Sequence, residues 1–179
     1  MILKRSMLLL AALMALTACF GGVAGAAERV GTAGDDNIEG TNRPDSLYGL
    51  EGNDTLRGLE GGDYLAGGPN DDQLIGGNET GADSIGDDLV VGQRGNDFIS
   101  GRYGADRLEG GPGKDTIIDG PQQDKQGDLI YAGDGDDLIL ADSAPGDLGE
   151  AIYCGPGSDT VQANSNDFVA ADCETVNRV

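Results

Sequence analysis

The chain has no histidine and no tryptophan, and only three phenylalanines and five tyrosines in 179 residues. Without imidazole there is no Ser-His-Asp triad and no His-ligated zinc site. Aromatics at 4% are too few for a conventional layered core. Cations are scarce as well, with 11 Lys and Arg against 32 Asp and Glu and a formal net charge of −21. Nucleic-acid binding requires clustered Lys and Arg to meet phosphates, and this balance argues against it. Past the N-terminal thirty residues, no apolar run is long enough to span a bilayer. What the chain does have is glycine, 32 residues of it, roughly two and a half times the usual ~7% share. Glycine weakens helix and strand interiors. The choice therefore lies between a disordered acidic chain and a fold that needs glycine turns and neutralised carboxylates.

The N-terminus reads as an address. Lys4 and Arg5 precede SMLLLAALMALTA, a charged n-region and an apolar h-region too short for a membrane span. Two processing sites compete. LTAC at 16–19 resembles the lipobox of bacterial lipoproteins, with Cys19 as the lipidated residue and 1–18 removed. AGA at 24–26 is an ordinary small-x-small site that removes 1–26. Either cut takes away Lys4 and Arg5 and moves the charge from −21 to −23. Export brings an oxidising setting in which calcium is available. There Cys154 and Cys173 most simply form one disulfide, with two free thiols as the alternative.

From Gly31 the chain falls into nines: GTAGDDNIE, GTNRPDSLY, GLEGNDTLR, GLEGGDYLA, GGPNDDQLI, then GQRGNDFIS, GRYGADRLE, GGPGKDTII, and later AGDGDDLIL and CGPGSDTVQ. Position six is Asp in all ten blocks, and position eight is Leu, Ile or Val. Position eight, flanked by two outward residues, reads as the inward residue of a short strand. The expected core is Ile38, Leu47, Leu56, Leu65, Leu74, Val90, Ile99, Leu108, Ile117, Ile130, Ile139 and Val161. One branched residue in nine is a thin filling. Stacked Asp side chains would also repel at a strand spacing of about 4.8 Å. Without counter-ions such a chain favours the unfolded polyanion.

The pattern resembles GGxGxDxUx, the nonapeptide of the RTX, or haemolysin-type calcium-binding, family. The resemblance covers about residues 31 to 162. It implies an all-β fold, a right-handed parallel β-roll with two sheets over 27–162; residues 163–179 leave the repeat and read as the short C-terminal cap that a repeat fold needs. It also implies Ca2+ bound between loops of successive turns by the position-six acid and backbone oxygens. Calcium is a hard cation that accepts both.

The position-six acids form the series Asp36, Asp45, Asp54, Asp63, Asp72, Asp88, Asp97, Asp106, Asp115, Asp128, Asp137, Glu150 and Asp159. Steps of nine are broken by longer ones before Asp88, Asp128 and Glu150, all even-numbered members. In a two-sided coil alternate loops lie on opposite edges. One edge, called here the Asp36 edge, is uninterrupted: Asp36, Asp54, Asp72, Asp97, Asp115, Asp137 and Asp159, with position-four glycines Gly34, Gly52, Gly95, Gly113, Gly135 and Gly157. By the resemblance it implies about six well-formed sites. The opposite, Asp45 edge carries the insertions and implies fewer and weaker sites, with Asp45, Asp63 and Asp106 as its best candidates and Asp88 and Asp128 beside them. Arg43 and Pro44 argue against a full site at Asp45. About eight ions are expected in all, enough to offset much of the charge. At position five, Asp35, Asn53, Asp71, Asn96 and Asp136 read as turn residues.

Of the five tyrosines, Tyr48, Tyr64, Tyr131 and Tyr153 fall on the outward face of the sheet fed by the Asp45 edge. That face is the candidate surface for a cell-surface or self-association partner, against scattered strand formers with no partner. The leading reading is an exported, non-catalytic calcium-binding module. An adhesive solenoid using the tyrosine face is the first alternative. The second is a calcium-assisted polysaccharide-active enzyme relying on Arg57, Arg102 or Arg107, which occupy no matched positions. HExxH and GxSxG are absent, and no Thr-x-Thr ladder of the ice-binding kind is present. RTX proteins commonly leave the cell by a route read from the C-terminus, whereas this chain carries an N-terminal signal, so roles of RTX toxins do not transfer to it.

Overall fold

Short apolar triplets separated by glycine-rich bends give short strands. The computed structural model describes residues 26–78, 86–121, 126–141 and 148–179. The signal segment through Gly25 and the candidate Cys19 lie outside the described residues. Sixteen strands follow one another: β1 Glu28–Val30, β2 Asn37–Thr41, β3 Ser46–Tyr48, β4 Thr55–Leu59, β5 Tyr64–Pro69, β6 Gln73–Gly77, β7 Leu89–Arg94, β8 Phe98–Ser100, β9 Arg107–Pro112, β10 Thr116–Ile118, β11 Leu129–Asp134, β12 Leu138–Ala141, β13 Ala151–Tyr153, β14 Thr160–Ala163, β15 Phe168–Val169 and β16 Thr175–Arg178. There is no helix among the described residues, and hence none long and apolar enough to cross a membrane.

Odd-numbered strands build one eight-stranded sheet in the order β1-β3-β5-β7-β9-β11-β13-β15, and even-numbered strands build the other. Every described pairing is parallel. The chain is an all-β solenoid with two parallel sheets, as the nonapeptide period implies. The register is kept across the insertions: Leu65 lies opposite Val90, and Leu108 opposite Ile130. Residues 163–179 extend both sheets, β15 beside β13 and β16 beside β14. The Cys154–Cys173 disulfide ties this last stretch to the preceding turn, across a sequence separation of 19.

All twelve expected core residues are buried, eleven of them fully and Ile38, in the first turn, at 9% exposure. Ile152 joins them, along with a second inward column of Ala132, Ala141, Cys154 and Ala163. These four occupy position one of their repeats, where the earlier turns have glycine, Asp119 apart. At Gly49, for instance, an added Cβ would lie 2.2 Å from Asp54 Oδ2. The core is therefore thicker toward the C-terminus.

Position two bends through the left-handed region, which suits glycine. Leu50 (φ 83°), Leu59 (φ 85°), Gln93 (φ 83°) and Arg102 (φ 81°) adopt it nonetheless. Such a conformation costs an L-residue roughly 1–2 kcal/mol, partly offset by the extra freedom glycine brings to the unfolded chain. Leu50 is half exposed, so little packing is lost with its side chain. Leu50→Gly is expected to stabilise the calcium-loaded fold by about 0.5–1 kcal/mol and raise its melting temperature by roughly 2–4 °C. An unchanged or lower melting temperature would count against strain at this position.

Candidate metal centre: two carboxylate ladders

Each position-six acid follows a tight loop and precedes a strand, so its side chain tucks beneath the bend. From Asp45 to Asp159 these acids are at most 4% exposed. Their Oδ1 atoms accept the main-chain N–H of the position-six residue one turn earlier. On the Asp36 edge the rungs run Asp36 to Asp54 at 2.8 Å, Asp54 to Asp72 at 2.7 Å, and Asp72 to Asp97, Asp97 to Asp115 and Asp115 to Asp137 at 2.8 Å. Asp137 to Asp159 follows at 2.9 Å, and Asp159 N–H ends on Glu174 Oε2 at 2.9 Å.

The Asp45 edge is built the same way across its insertions. Asp45 N–H donates to Asp63 at 2.8 Å, Asp63 to Asp88 at 2.7 Å, Asp88 to Asp106 at 2.8 Å and Asp106 to Asp128 at 2.9 Å. Stacking is thus alike on the two edges, although the sequence separation per rung rises to 25 at the first insertion.

The second carboxylate oxygen distinguishes the turns. Oδ2 of Asp54, Asp63, Asp72, Asp88, Asp97, Asp115, Asp137 and Asp159 is buried without a hydrogen-bond partner. The first turn differs. Thr32 donates its N–H (2.5 Å) and Oγ1 (2.9 Å) to Asp36 Oδ2, and Thr41 does the same for Asp45. Threonine at position two of GTAGDD and GTNRPD thus satisfies with protein donors what later turns leave bare. This role was not extracted from the sequence, although the shared GT opening was its signal.

Burial is the main cause of raised pKa values along both ladders, with neighbouring aspartates adding to it. Asp97 is pushed up to about 6. Asp63, Asp72 and Asp115 rise to about 7. Asp88 rises to about 9, where the charge of Asp106 is the second cause. Asp54, Asp137 and Asp159 are raised as well. Each is opposed by the backbone hydrogen bond it accepts from the turn before.

Backbone carbonyls stack along the loops as well. A Cβ at Gly95 would meet Asn70 O at 1.9 Å, at Gly113 it would meet Gly95 O at 1.5 Å, at Gly135 Gly113 O at 1.4 Å, and at Gly157 Gly135 O at 1.5 Å. Gly52 likewise crowds the Gly34 carbonyl group. Position-four carbonyls therefore point along the axis at the next loop, and at Gly95, Gly113, Gly135 and Gly157 a side chain would collide with them. Gly61, Gly86 and Gly104 repeat this on the Asp45 edge, where a Cβ at Gly86 would lie 1.7 Å from Gly61 O. Among the described residues no three His, Cys, Asp or Glu side chains gather as a metal cluster. An ion between successive turns would draw on carbonyls as well as carboxylates, which suits a hard cation of high coordination number.

Four stretches match the model of the RTX calcium-binding nonapeptide repeat, at residues 30–65, 48–85, 83–117 and 126–144, which together span more than half of the chain. The chain belongs to this family. RTX nonapeptide repeats bind calcium, and bare buried Oδ2 atoms, which share the space over the position-one glycines with a carbonyl of the next turn as at Gly49, fit that ion. No curated protein matches the chain, and no solved structure does.

At position five the RTX loops carry a further, outer ladder. Asp35 Oδ1 accepts Asn53 N–H at 2.9 Å, Asn53 accepts Asp71 at 3.1 Å, Asp71 accepts Asn96 at 2.7 Å, and Asn96 accepts Lys114 at 2.9 Å. Asp136 accepts Ser158 N–H at 3.0 Å. These residues stitch loop to loop, beyond the turn role their types suggest. From Asp35 to Asn96 acid and amide alternate, which keeps like charges two turns apart.

The outward tyrosines lie where the period puts them. Tyr131 and Tyr153 stack at 5.0 Å with planes 14° apart, Tyr153 meets Phe168 at 5.8 Å, and Arg107 lies 4.8 Å over Tyr131. Tyr48 and Tyr64 form a tilted pair at 5.6 Å. Ring faces in the Tyr131–Tyr153 stack are turned toward each other, so this ladder contributes to sheet stability through cross-strand pairing.

Proposed function

We propose that this chain is an exported, non-catalytic structural module whose folding is driven by calcium. Buried, unpartnered Oδ2 atoms on both ladders carry this reading. An uncompensated buried carboxylate is costly, and a divalent cation shared between successive turns removes that cost twice over. The ligands would be Asp54, Asp72, Asp97, Asp115, Asp137 and Asp159 with carbonyls of Gly34, Gly52, Gly95, Gly113, Gly135 and Gly157 on one edge. Asp63, Asp88, Asp106 and Asp128 would serve on the other. Asp36 and Asp45 terminate the ladders. Residues 1–26, or 1–18 with lipidation at Cys19, form the export signal in this reading. Residues 27–162 form the calcium-binding roll and 163–179 its cap. The product is secreted or anchored at the cell surface, with the tyrosine sheet as the face open to a partner.

Stoichiometry tests this reading. Titration of the mature chain is expected to saturate at about eight calcium ions, with site affinities in the 10⁻⁴–10⁻³ M range of extracellular modules. Magnesium, which prefers a smaller octahedron and holds its waters, is expected not to substitute. Saturation by one or two ions, or an equal response to magnesium, would overturn it.

A further inference from the structure

The ladder on the Asp45 edge begins at a residue with no acidic side chain. Ala27 occupies position six of the turn before Asp45. Its carbonyl accepts Ser46 N–H at 2.8 Å, as the Asp45 carbonyl accepts Tyr64 N–H at 2.9 Å one turn later. Its own N–H donates to Asp45 Oδ1. Asp45 is 4% exposed, and its other donors are the N–H and hydroxyl of Thr41. All three donors are neutral in the unprocessed chain, so the carboxylate has hydrogen bonds but no counter-charge among them. A calcium ion shared with the preceding turn has no carboxylate to bind there, because that turn offers Ala27. Arg43 and Pro44 occupy the loop itself.

We propose that cleavage after Ala26 supplies the missing cation: the new α-ammonium group of Ala27 closes this end of the ladder as an ion pair with Asp45. Hydrolysis of the Ala26–Ala27 peptide bond consumes one water and leaves a carboxylate on the released fragment and an amine on Ala27, which is protonated at neutral pH. The ammonium keeps the existing bond to Oδ1 and adds charge and two further donors. The opposite end of the same edge also finishes on a cation. There Arg178 Nη1 donates to the carbonyls of Asn164 and Asp167, the latter at 3.2 Å. Between the two competing processing sites, this geometry selects AGA at 24–26, since cutting before Cys19 would leave Ala27 an amide. The inference rests on the export reading above and adds the cleavage site and its structural purpose.

Two measurements test it. The intact mass of the chain exported by a bacterial host is expected to correspond to Ala27–Val179. A lipidated Cys19 start, or any other start, overturns the proposal whatever calcium does. Amide exchange in calcium then compares the chain beginning at Ala27, its N-acetylated form and Asp45→Asn. Acetylation is expected to lower protection of Ser46 N–H about three- to fivefold, the range of a partly exposed ion pair. Asp45→Asn is expected to lower it similarly and to abolish any further effect of acetylation. Leu138 N–H, bonded to Asp115 O in the middle of the roll, is expected to stay protected in all three. Unchanged Ser46 protection on acetylation, with Leu138 protected, overturns the ion pair and leaves the calcium reading standing. Loss of Leu138 protection even in the parent chain would instead sink the calcium reading.

Discussion

Asp115→Asn is expected to make the chain more ordered without calcium and less responsive to it. The two halves of this result have separate causes. Asparagine keeps an Oδ1 that accepts the Asp97 N–H now bonded at 2.8 Å, so the rung survives. It removes the buried charge that Asp97 and Asp137 repel, which lowers the cost of stacking turns in metal-free solution. In the proposed reading it also removes a ligand shared between successive turns, so roughly two ions should be lost from the stoichiometry. The calcium midpoint of the β signal is expected to rise about tenfold, equivalent to losing about 1.4 kcal/mol of binding. A variant that binds as many ions as the parent would show that this carboxylate is a hydrogen-bonding spacer alone.

Acid is expected to replace calcium in part. Asp97 titrates in the fold at about 6, Asp63, Asp72 and Asp115 at about 7, and Asp88 at about 9, against 3.8 when unperturbed. Below about pH 4 both states hold these protons. Between that point and the raised values, the folded chain keeps protons that the unfolded chain has released, so stability falls as pH rises. Above the raised values the penalty is complete. In chelator, the β-type circular dichroism signal should therefore be larger near pH 4.5 than at pH 8. Adding calcium at pH 8 should restore it. A metal-free signal that grows with pH would contradict burial as the cause of the shifts.

Much of this was legible in the sequence because a nine-residue period ties side-chain direction to position. Leu65 and Val90 could be paired in advance across an insertion, since each lies two residues after its position-six acid, Asp63 and Asp88. Ile152 was missed because Glu150 and its degraded loop hid the repeat around it. The inward column of Ala132, Ala141, Cys154 and Ala163 was missed because position one is glycine in the clearer copies. The hydrogen bonds of Thr32 and Thr41 depend on distances between loop and carboxylate that periodicity does not carry. Weaker sites were expected on the Asp45 edge from its insertions. The carboxylate stacking of Asp63, Asp88 and Asp106 there is as regular as on the other edge, with Gly86 back at position four ahead of Asp88. The bridging by Asn53 and Asn96 was hidden for a related reason: turn residues look alike whether they cap their own loop or reach the next.

Chelation addresses the central claim most directly. The mature chain, stripped of divalent metal at pH 8 and low salt, is expected to scatter as an expanded coil with little β signal. With several millimolar calcium it should compact into a rod with strong β-type dichroism. A metal-free chain that stays as compact and as ordered as the loaded one would show that its slender aliphatic core holds the turns together without the ion.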